Sequence, residues 1–154
     1  MQDAACELCA FEAPTVYADD KLFVILVDDA SYPGFCRVIW REHVGEMSDL
    51  AQEDRLLLND TVFHVEQAIR ETMAPTKVNV ASLGNVVPHL HWHIIPRYED
   101  DAHFPAPVWA TAVRKSAESV LEARRAQLRH LADAIAQRLQ LVKNPHAELH
   151  ANAD

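Results

Sequence analysis

Apolar residues recur along the chain with two different periods, and these periods predict the order of the secondary-structure elements. Five short runs are rich in β-branched and aromatic residues, which predicts strands at residues 15–17, 22–27, 35–40, 76–82 and 89–96. The first two runs flank a polar segment, which is typical of a hairpin. Pro33 and Gly34 mark a loop before the third run, and Gly84 lies in the turn between the last two.

Two longer segments carry apolar residues at helical spacing. The first begins after a capping residue, Ser48 or Asp49, and runs to about Met73, before Pro75. The second covers residues 112–141 without an internal proline or glycine. The order of strands and helices predicts an α+β domain over residues 1–143, with a mostly antiparallel sheet of about five strands, one central helix and one long C-terminal helix. Residues 144–154 are polar and aperiodic, and we expect a disordered tail there.

Composition narrows the range of partners. With 14 basic and 23 acidic residues the formal net charge is −9, which gives little support for binding a nucleic acid. No apolar run approaches the roughly 20 residues of a membrane span, and no basic start leads into an apolar stretch. We therefore expect a cytoplasmic protein that does not bind a membrane. Residues 112–143 are basic, with seven basic and three acidic side chains, which indicates either a solvated helix face or a surface for a partner or a polyphosphate.

Three histidines at alternating positions are the strongest chemical signal in the sequence. In a strand, His89, His91 and His93 project from one face, while Leu90, Trp92 and Ile94 project from the other. An imidazole is both a nucleophile and a proton carrier near neutral pH, and the preceding turn with Gly84 and Asn85 offers amide donors for phosphoryl oxygens. The same row of histidines is also compatible with a metal site, as in zinc hydrolases, or with an inert polar face.

Cysteine usage gives a second signal. Cys6 and Cys9 have the spacing of one half of a structural zinc site, although two free thiols would have the same spacing. Cys36 lies in a predicted strand and is interpreted as a small core residue. An odd number of cysteines does not favour a disulfide framework.

The His-x-His-x-His motif followed by two apolar residues, at 89–95, resembles the defining motif of the histidine-triad (HIT) family, in a bacterial type with an N-terminal Cys-x-x-Cys. The resemblance extends from Cys6 to about Trp109 and includes the hairpin at 17–28, Pro33-Gly34, His43 and Ile95-Pro96-Arg97. It implies a homodimer that acts on a small-molecule nucleotide. Members cleave at the α-phosphorus of dinucleoside polyphosphates or nucleoside phosphoramidates, with no catalytic metal required.

Carried over onto this sequence, the resemblance assigns roles to single residues. It makes His91 the nucleophile that forms a nucleotidyl-histidine intermediate, and His93 the residue that orients the phosphate. It makes Asn85 a phosphate contact, which Asn79 could also reach, and Asp28 a ribose contact, although Asp28 would equally suit a solvated turn. The zinc-bearing members imply a structural Cys₂His₂ centre formed by Cys6, Cys9, His43 and His89.

The sequence departs from the family at one place near the triad. Many members have a histidine directly after the glycine that opens the third strand, where this chain has Phe35 after Gly34. The substrate therefore stays open among dinucleoside polyphosphates, phosphoramidates and related nucleotidyl donors. Two other functions also stay open, a zinc-dependent hydrolase with the triad as metal ligands and a non-catalytic nucleotide-binding module.

Overall fold

A single antiparallel sheet of five strands organises the fold in the computed structural model, which describes residue 3 and residues 5–143. Its spatial order is β1-β2-β3-β5-β4, so β1 and β4 are the edge strands. The strands are β1 Tyr17–Ala18, β2 Leu22–Leu26, β3 Cys36–Trp40, β4 Lys77–Ala81 and β5 His91–Arg97. The helices are α1 Gln52–Met73, α2 Glu118–Arg125 and α3 Leu128–Lys143. The predicted α+β class and the five-stranded sheet are confirmed, whereas the predicted tail at 144–154 lies outside the described residues.

The central helix begins later than predicted. Glu46 and Asp49 satisfy each other's backbone N–H groups in a capping box, and this closes a separate one-turn 3-10 helix at Met47–Asp49. Leu50 then returns to extended backbone, so α1 starts only at Gln52. Its end is as predicted, because Ala74 takes the left-handed conformation with φ of 44° directly before Pro75.

The prediction of one continuous helix over 112–141 is wrong in its first part. Residues 111–117 have no helical structure, because the backbone N–H groups of Val113 and Arg114 donate to the carbonyl of Ala102 and hold this segment against the preceding loop. Helix α2 begins at Glu118, and a turn at residues 126–127 bends the chain before α3. The structure therefore has one long but bent C-terminal helix, whose start depends on tertiary contacts that helical spacing does not encode.

The two faces of the sheet have different environments. Helices α1 and α3 pack on one face, where they enclose the largest core cluster together with Leu90 and the buried strand residues Leu22, Val24, Val38, Trp40 and Ile94. A smaller cluster on the other face joins Phe23, Ile25 and Ile39 to the N-terminal residues Cys6 and Leu8. This second face is only partly covered, and it carries the histidines. None of the helices in the described part of the chain has both the length and the apolar character needed to cross a membrane.

Candidate active site and metal centre

Strand β5 brings His91 and His93 together on the partly covered face of the sheet. His91 pairs across the ladder with Ile39, and His93 pairs with both Arg37 and Ala81. The two imidazole rings meet edge to face with their centroids 4.8 Å apart, and both residues are buried. Trp92 between them packs on the helix side, as strand alternation requires.

The ring of His91 has a defined orientation and a defined tautomer. Its Nδ1 lies 2.5 Å from the backbone carbonyl oxygen of His89. A carbonyl oxygen can only accept a hydrogen bond, so Nδ1 must carry the proton. In the neutral ring the lone pair is then on Nε2. The backbone carbonyl just before β5 therefore leaves Nε2 as the ring nitrogen of His91 with a free lone pair.

His93 is held neutral by its surroundings. Burial, followed by the nearby His91 and Arg37, lowers the pKa of His93 to about 4. Its ring lies between those of Phe35 and Trp109, with centroid distances of 5.6 and 5.9 Å. Its buried Nδ1 has no hydrogen-bond partner among the described residues. The hydrogen-bonding capacity of this nitrogen is therefore not used by any described residue.

Both histidines open onto a cleft of about 760 Å³, called here the histidine cleft. Its floor is the sheet itself, and its two walls are the N-terminal segment and the loop between β4 and β5. It is lined by Glu7, Leu8, Phe11, Ile25, Arg37, Leu83, Gly84, Asn85, Val86, Val87, His91, His93 and Trp109. The loop turns at Gly84, whose φ of 84° favours glycine, and exposes Asn85 at the cleft. The cleft thus joins an apolar end, at Leu8, Phe11 and Ile25, to a polar end at the histidines.

Arg37 is a cleft residue that the sequence analysis missed. Its guanidinium carbon lies 5.7 Å from the centre of the Phe35 ring, and its Nε is buried without a hydrogen-bond partner among the described residues. Burial lowers the pKa of Arg37, and Glu7 acts in the opposite direction. A signal was present in the sequence, since Arg37 is the one charged residue within the otherwise apolar run of residues 35–40.

The two remaining predicted nucleotide contacts lie outside the lining of the histidine cleft. Asp28 is exposed and lines an adjoining groove against α3, which shares Phe11 with the cleft. Asn79 accepts a hydrogen bond of 2.6 Å from Arg97 and lines a groove beside β4. Of the five predicted catalytic and nucleotide-binding residues, the structure therefore brings His91, His93 and Asn85 into one cleft and places Asp28 and Asn79 apart from it.

The four predicted metal ligands converge near the N-terminal end of β5. One ligand atom from each of Cys6, Cys9, His43 and His89 lies within 4.8 Å of the others. The Nδ1 of His89 is 3.5 Å from the Sγ of Cys6 and 3.4 Å from that of Cys9, and the Nδ1 of His43 is 3.4 Å from the Sγ of Cys9. Around a tetrahedral zinc ion, sulfur and nitrogen ligands are about 3.5 Å apart, so these distances fit.

The outer surroundings of this cluster also fit a metal centre. The Nε2 of His89 lies 2.5 Å from the carbonyl oxygen of Trp40, which fixes the proton on Nε2 and directs Nδ1 to the thiols. Burial lowers the pKa of His89, which keeps the ring in the neutral form that binds metals. These four residues could together hold a zinc ion.

The family model of the HIT domain matches residues 11–100, which is more than half of the chain. The chain belongs to the HIT family. Its sequence is 29% identical over 113 residues to the protein hit of Bacillus subtilis, and the match covers 69% of this chain and 77% of that relative.

Solved structures agree with the fold of this HIT protein. A histidine triad protein from Marinobacter aquaeolei is 27% identical with a TM-score of 0.67, covering 88% of this chain and 100% of the other. The histidine triad protein blr8122 from Bradyrhizobium japonicum is 27% identical with a TM-score of 0.65, covering 82% and 90%. A zinc-bound histidine triad family protein from Mycobacterium smegmatis shares the fold at 23% identity, with a TM-score of 0.55 and coverage of 84% and 97%.

Proposed function

We propose that this HIT protein is a nucleotidyl hydrolase or transferase that cleaves at the α-phosphorus of a nucleotide through a covalent intermediate on His91. The observation that carries the proposal is the hydrogen bond from His91 Nδ1 to the His89 carbonyl, because it leaves the Nε2 lone pair free. His91 lines the histidine cleft. The apolar end of this cleft suits a nucleoside base, and its amide donors suit a phosphoryl group.

The reaction has two displacements at phosphorus. His91 Nε2 forms a P–N bond as the bond from phosphorus to the leaving group breaks, and the leaving group keeps the electron pair. The hydroxyl oxygen of water or of another acceptor then attacks phosphorus and its proton passes to solvent, while the P–N bond breaks and returns its electron pair to Nε2. In this proposal His93, Asn85 and the backbone N–H groups near Gly84 donate to the phosphoryl oxygens and stabilise their charge, and no step uses a catalytic metal.

We further propose that Cys6, Cys9, His43 and His89 hold a structural zinc ion. A closed set of four protein ligands leaves no open position for substrate, so the metal would contribute to folding rather than to chemistry. It would fix the N-terminal segment, whose residues Glu7 and Leu8 lie between the two thiols in sequence and line the histidine cleft. We still predict that Asp28 contacts the ribose hydroxyls and that Asn79 contacts the phosphate.

A homodimer also remains a prediction. Strand β4 is an edge strand, and its Val80 is 42% exposed, so the sheet has a free edge available to a second copy.

The covalent intermediate is the decisive test. We expect intact-protein mass spectrometry to detect a nucleotidyl adduct on the wild type after rapid quenching with a dinucleoside polyphosphate or a nucleoside phosphoramidate. His91→Ala should lose the adduct and at least about 1,000-fold in kcat, as expected when a nucleophile is removed. His130→Ala, which changes an exposed histidine on α3, is the matched control and should keep both.

The competing functions give different results in the same experiment. A zinc hydrolase with the triad as ligands would form no nucleotidyl adduct with any substrate. Against it, the ligand atoms that converge in the described residues join His89 to two thiols rather than to His91 and His93. A non-catalytic module would bind nucleotides without turnover of any substrate.

A further inference from the structure

The floor of the histidine cleft contains a cation without a counter-ion. Among the described residues no carboxylate forms an ion pair with Arg37, and its buried Nε donates to no acceptor. Glu7, exposed on the cleft wall, influences Arg37 only through its charge. A partly buried guanidinium with an unused donor costs free energy, and a bound anion would repay that cost.

The side chain of Arg37 is also placed for recognition. It is flanked in the ladder by Ile25 on one side and His93 on the other, so it lies between the apolar end of the cleft and the histidines. The centre of the Phe35 ring lies 5.7 Å from the guanidinium carbon of Arg37 and 5.6 Å from the centre of the His93 ring. An arginine held against an aromatic ring presents a planar pair of N–H donors that matches the oxygens of a phosphate, sulfate or carboxylate.

The orientation of His91 indicates which part of the substrate meets Arg37. Nδ1 of His91 donates to the carbonyl of His89, so Nε2 is the ring nitrogen left for a substrate. The ring of His91 contacts that of His93, and His93 pairs with Arg37 in the ladder. In a displacement at phosphorus the leaving group departs in line, on the side opposite the attacking nitrogen. A phosphorus atom bound between His91 Nε2 and the ladder position of His93 and Arg37 would direct its leaving group towards Arg37.

We propose that Arg37 binds an anionic leaving group, so that this HIT protein prefers nucleotidyl anhydrides over phosphoramidates. The inference rests on the proposed function and extends it to a substrate class. As the P–O bond breaks, its electron pair stays on the departing oxygen, and Arg37 pairs with the negative charge that a phosphate, polyphosphate or sulfate then carries. An amine leaving group takes a proton from solvent onto the nitrogen that keeps the electron pair, and it carries no negative charge, so it gains nothing from Arg37.

Three substrates with the same adenylyl part and different leaving groups test this preference. The value of kcat/KM would be measured for diadenosine tetraphosphate, adenosine 5′-phosphosulfate and adenosine 5′-phosphoramidate. We expect Arg37→Leu to lower the values for the two anhydrides by about 10- to 100-fold, as for the loss of a charged hydrogen bond, and that for the phosphoramidate by less than about 3-fold. Arg37→Lys should recover part of the loss. Comparing the two anhydrides shows whether polyphosphate or sulfate is favoured.

The control variant is Arg70→Leu, which removes one positive charge from an exposed position on α1 and should change none of the three values. An equal loss for all three substrates in Arg37→Leu would overturn the proposal, since Arg37 would then act on the shared adenylyl part. Unchanged values for all three would overturn it as well.

A binding experiment separates this proposal from the proposed function. Calorimetric titration of ADP and AMP needs no turnover, and we expect the wild type to bind ADP at least about 10-fold more tightly, a difference that Arg37→Leu abolishes. If the wild type forms no adduct with any substrate but shows this difference, the proposed chemistry fails and the anion site stands. Equal binding of ADP and AMP would contradict the anion site even where adduct formation is observed.

Discussion

At the scale of single residues, the ion pair between Arg97 and Asp101 joins the end of β5 to the loop that follows it. Both side chains are almost fully buried, at 2% and 1% exposure. Arg97 Nε donates to Asp101 at 2.7 Å, and its other nitrogens reach Asn79 and the carbonyl of Ala106. Asp101 also accepts the backbone N–H groups of three loop residues, Tyr98, His103 and Phe104. The pair therefore fixes the loop that leads to Trp109 at the cleft.

We expect Asp101→Asn to lower the free energy of unfolding at neutral pH by about 3–5 kcal/mol, because it leaves the Arg97 charge buried and unpaired. Burial alone would raise the pKa of Asp101, but the hydrogen bonds from Arg97 and the backbone outweigh it and hold this pKa well below its usual range. A carboxyl group whose pKa is lower in the folded than in the unfolded state stabilises the fold fully at pH values above its unfolded pKa of about 3.9. This stabilisation is lost as the pH falls below that value towards the folded-state pKa.

Urea denaturation of wild type and Asp101→Asn at pH 7, 5 and 3 would measure both effects. The difference in free energy of unfolding between the two proteins should be constant from pH 7 to 5 and should be smaller at pH 3. Asp100→Asn, at the neighbouring exposed ion pair with Arg124, should cost less than about 1 kcal/mol. A difference that does not change down to pH 3 would contradict the assigned role of the carboxylate.

The sequence showed some of these residues and not others, for a physical reason. Short local spacings made four residues stand out. Alternation in a strand places His91 and His93 on one face, and two intervening residues place Cys6 and Cys9 on one turn. Arg97 acts through hydrogen-bond partners that only the folded chain brings to it, such as Asn79, 18 residues away. Arg37 stands out only in the folded chain, where its buried Nε has no acceptor among the described residues. Only the position of Arg37 in an apolar strand could have marked it in advance.

At the scale of elements, the turn before β3 depends on Gly34. Its φ is 90°, in the left-handed region, and a Cβ at this position would lie 2.7 Å from the Sδ of Met73 at the end of α1. The turn therefore needs glycine both for its backbone and for its contact with the helix. It also sets the start of the strand that carries Phe35 and Arg37.

We expect Gly34→Ala to lower the free energy of unfolding by about 2–4 kcal/mol, from backbone strain together with overpacking against Met73. Thermal and urea denaturation would measure this change. Gly45→Ala is the matched control, because a Cβ at Gly45 meets nothing closer than the Pro88 carbonyl oxygen at 4.0 Å. If the two substitutions had equal effects, the requirement for glycine at position 34 would be contradicted.

Periodicity predicted the elements to different degrees. Each predicted strand corresponds to one in the structure, because alternation and β-branched residues are local signals. The start of the C-terminal helix was missed, since Val113 and Arg114 give their N–H groups to Ala102 instead of joining a helix. Apolar spacing cannot reveal such competition between a helix and a loop that is distant in sequence.

At the scale of the whole molecule, the proposed zinc centre and the proposed nucleophile are joined through one residue. His89 directs its Nδ1 to the thiols of Cys6 and Cys9, while its backbone carbonyl accepts the hydrogen bond from His91. The N-terminal segment, which the same centre would fix, forms one wall of the cleft.

We expect removal of zinc by a chelator to lower the melting temperature and to reduce activity, although the metal takes no part in the chemical steps. Cys9→Ser should reproduce both effects, and restored zinc should reverse them in the wild type only. Cys36→Ser, at a thiol outside the cluster, is the control, and its activity should respond to chelation and to restored zinc as that of the wild type does. Full activity of a metal-free protein with an unchanged melting temperature would contradict the structural role.

The link through His89 has a consequence for the chemistry of the thiols themselves. Oxidation or alkylation of Cys6 or Cys9 would leave the Trp40 carbonyl as the remaining partner of the His89 ring, and we expect it to loosen the His89 carbonyl that keeps the proton on His91 Nδ1. Damage at a thiol that never touches phosphorus would then reach His91 through His89, two residues earlier in the chain, and would appear as a mixed population of His91 tautomers. Nitrogen NMR of His91 would report that mixture directly, before any loss of the fold.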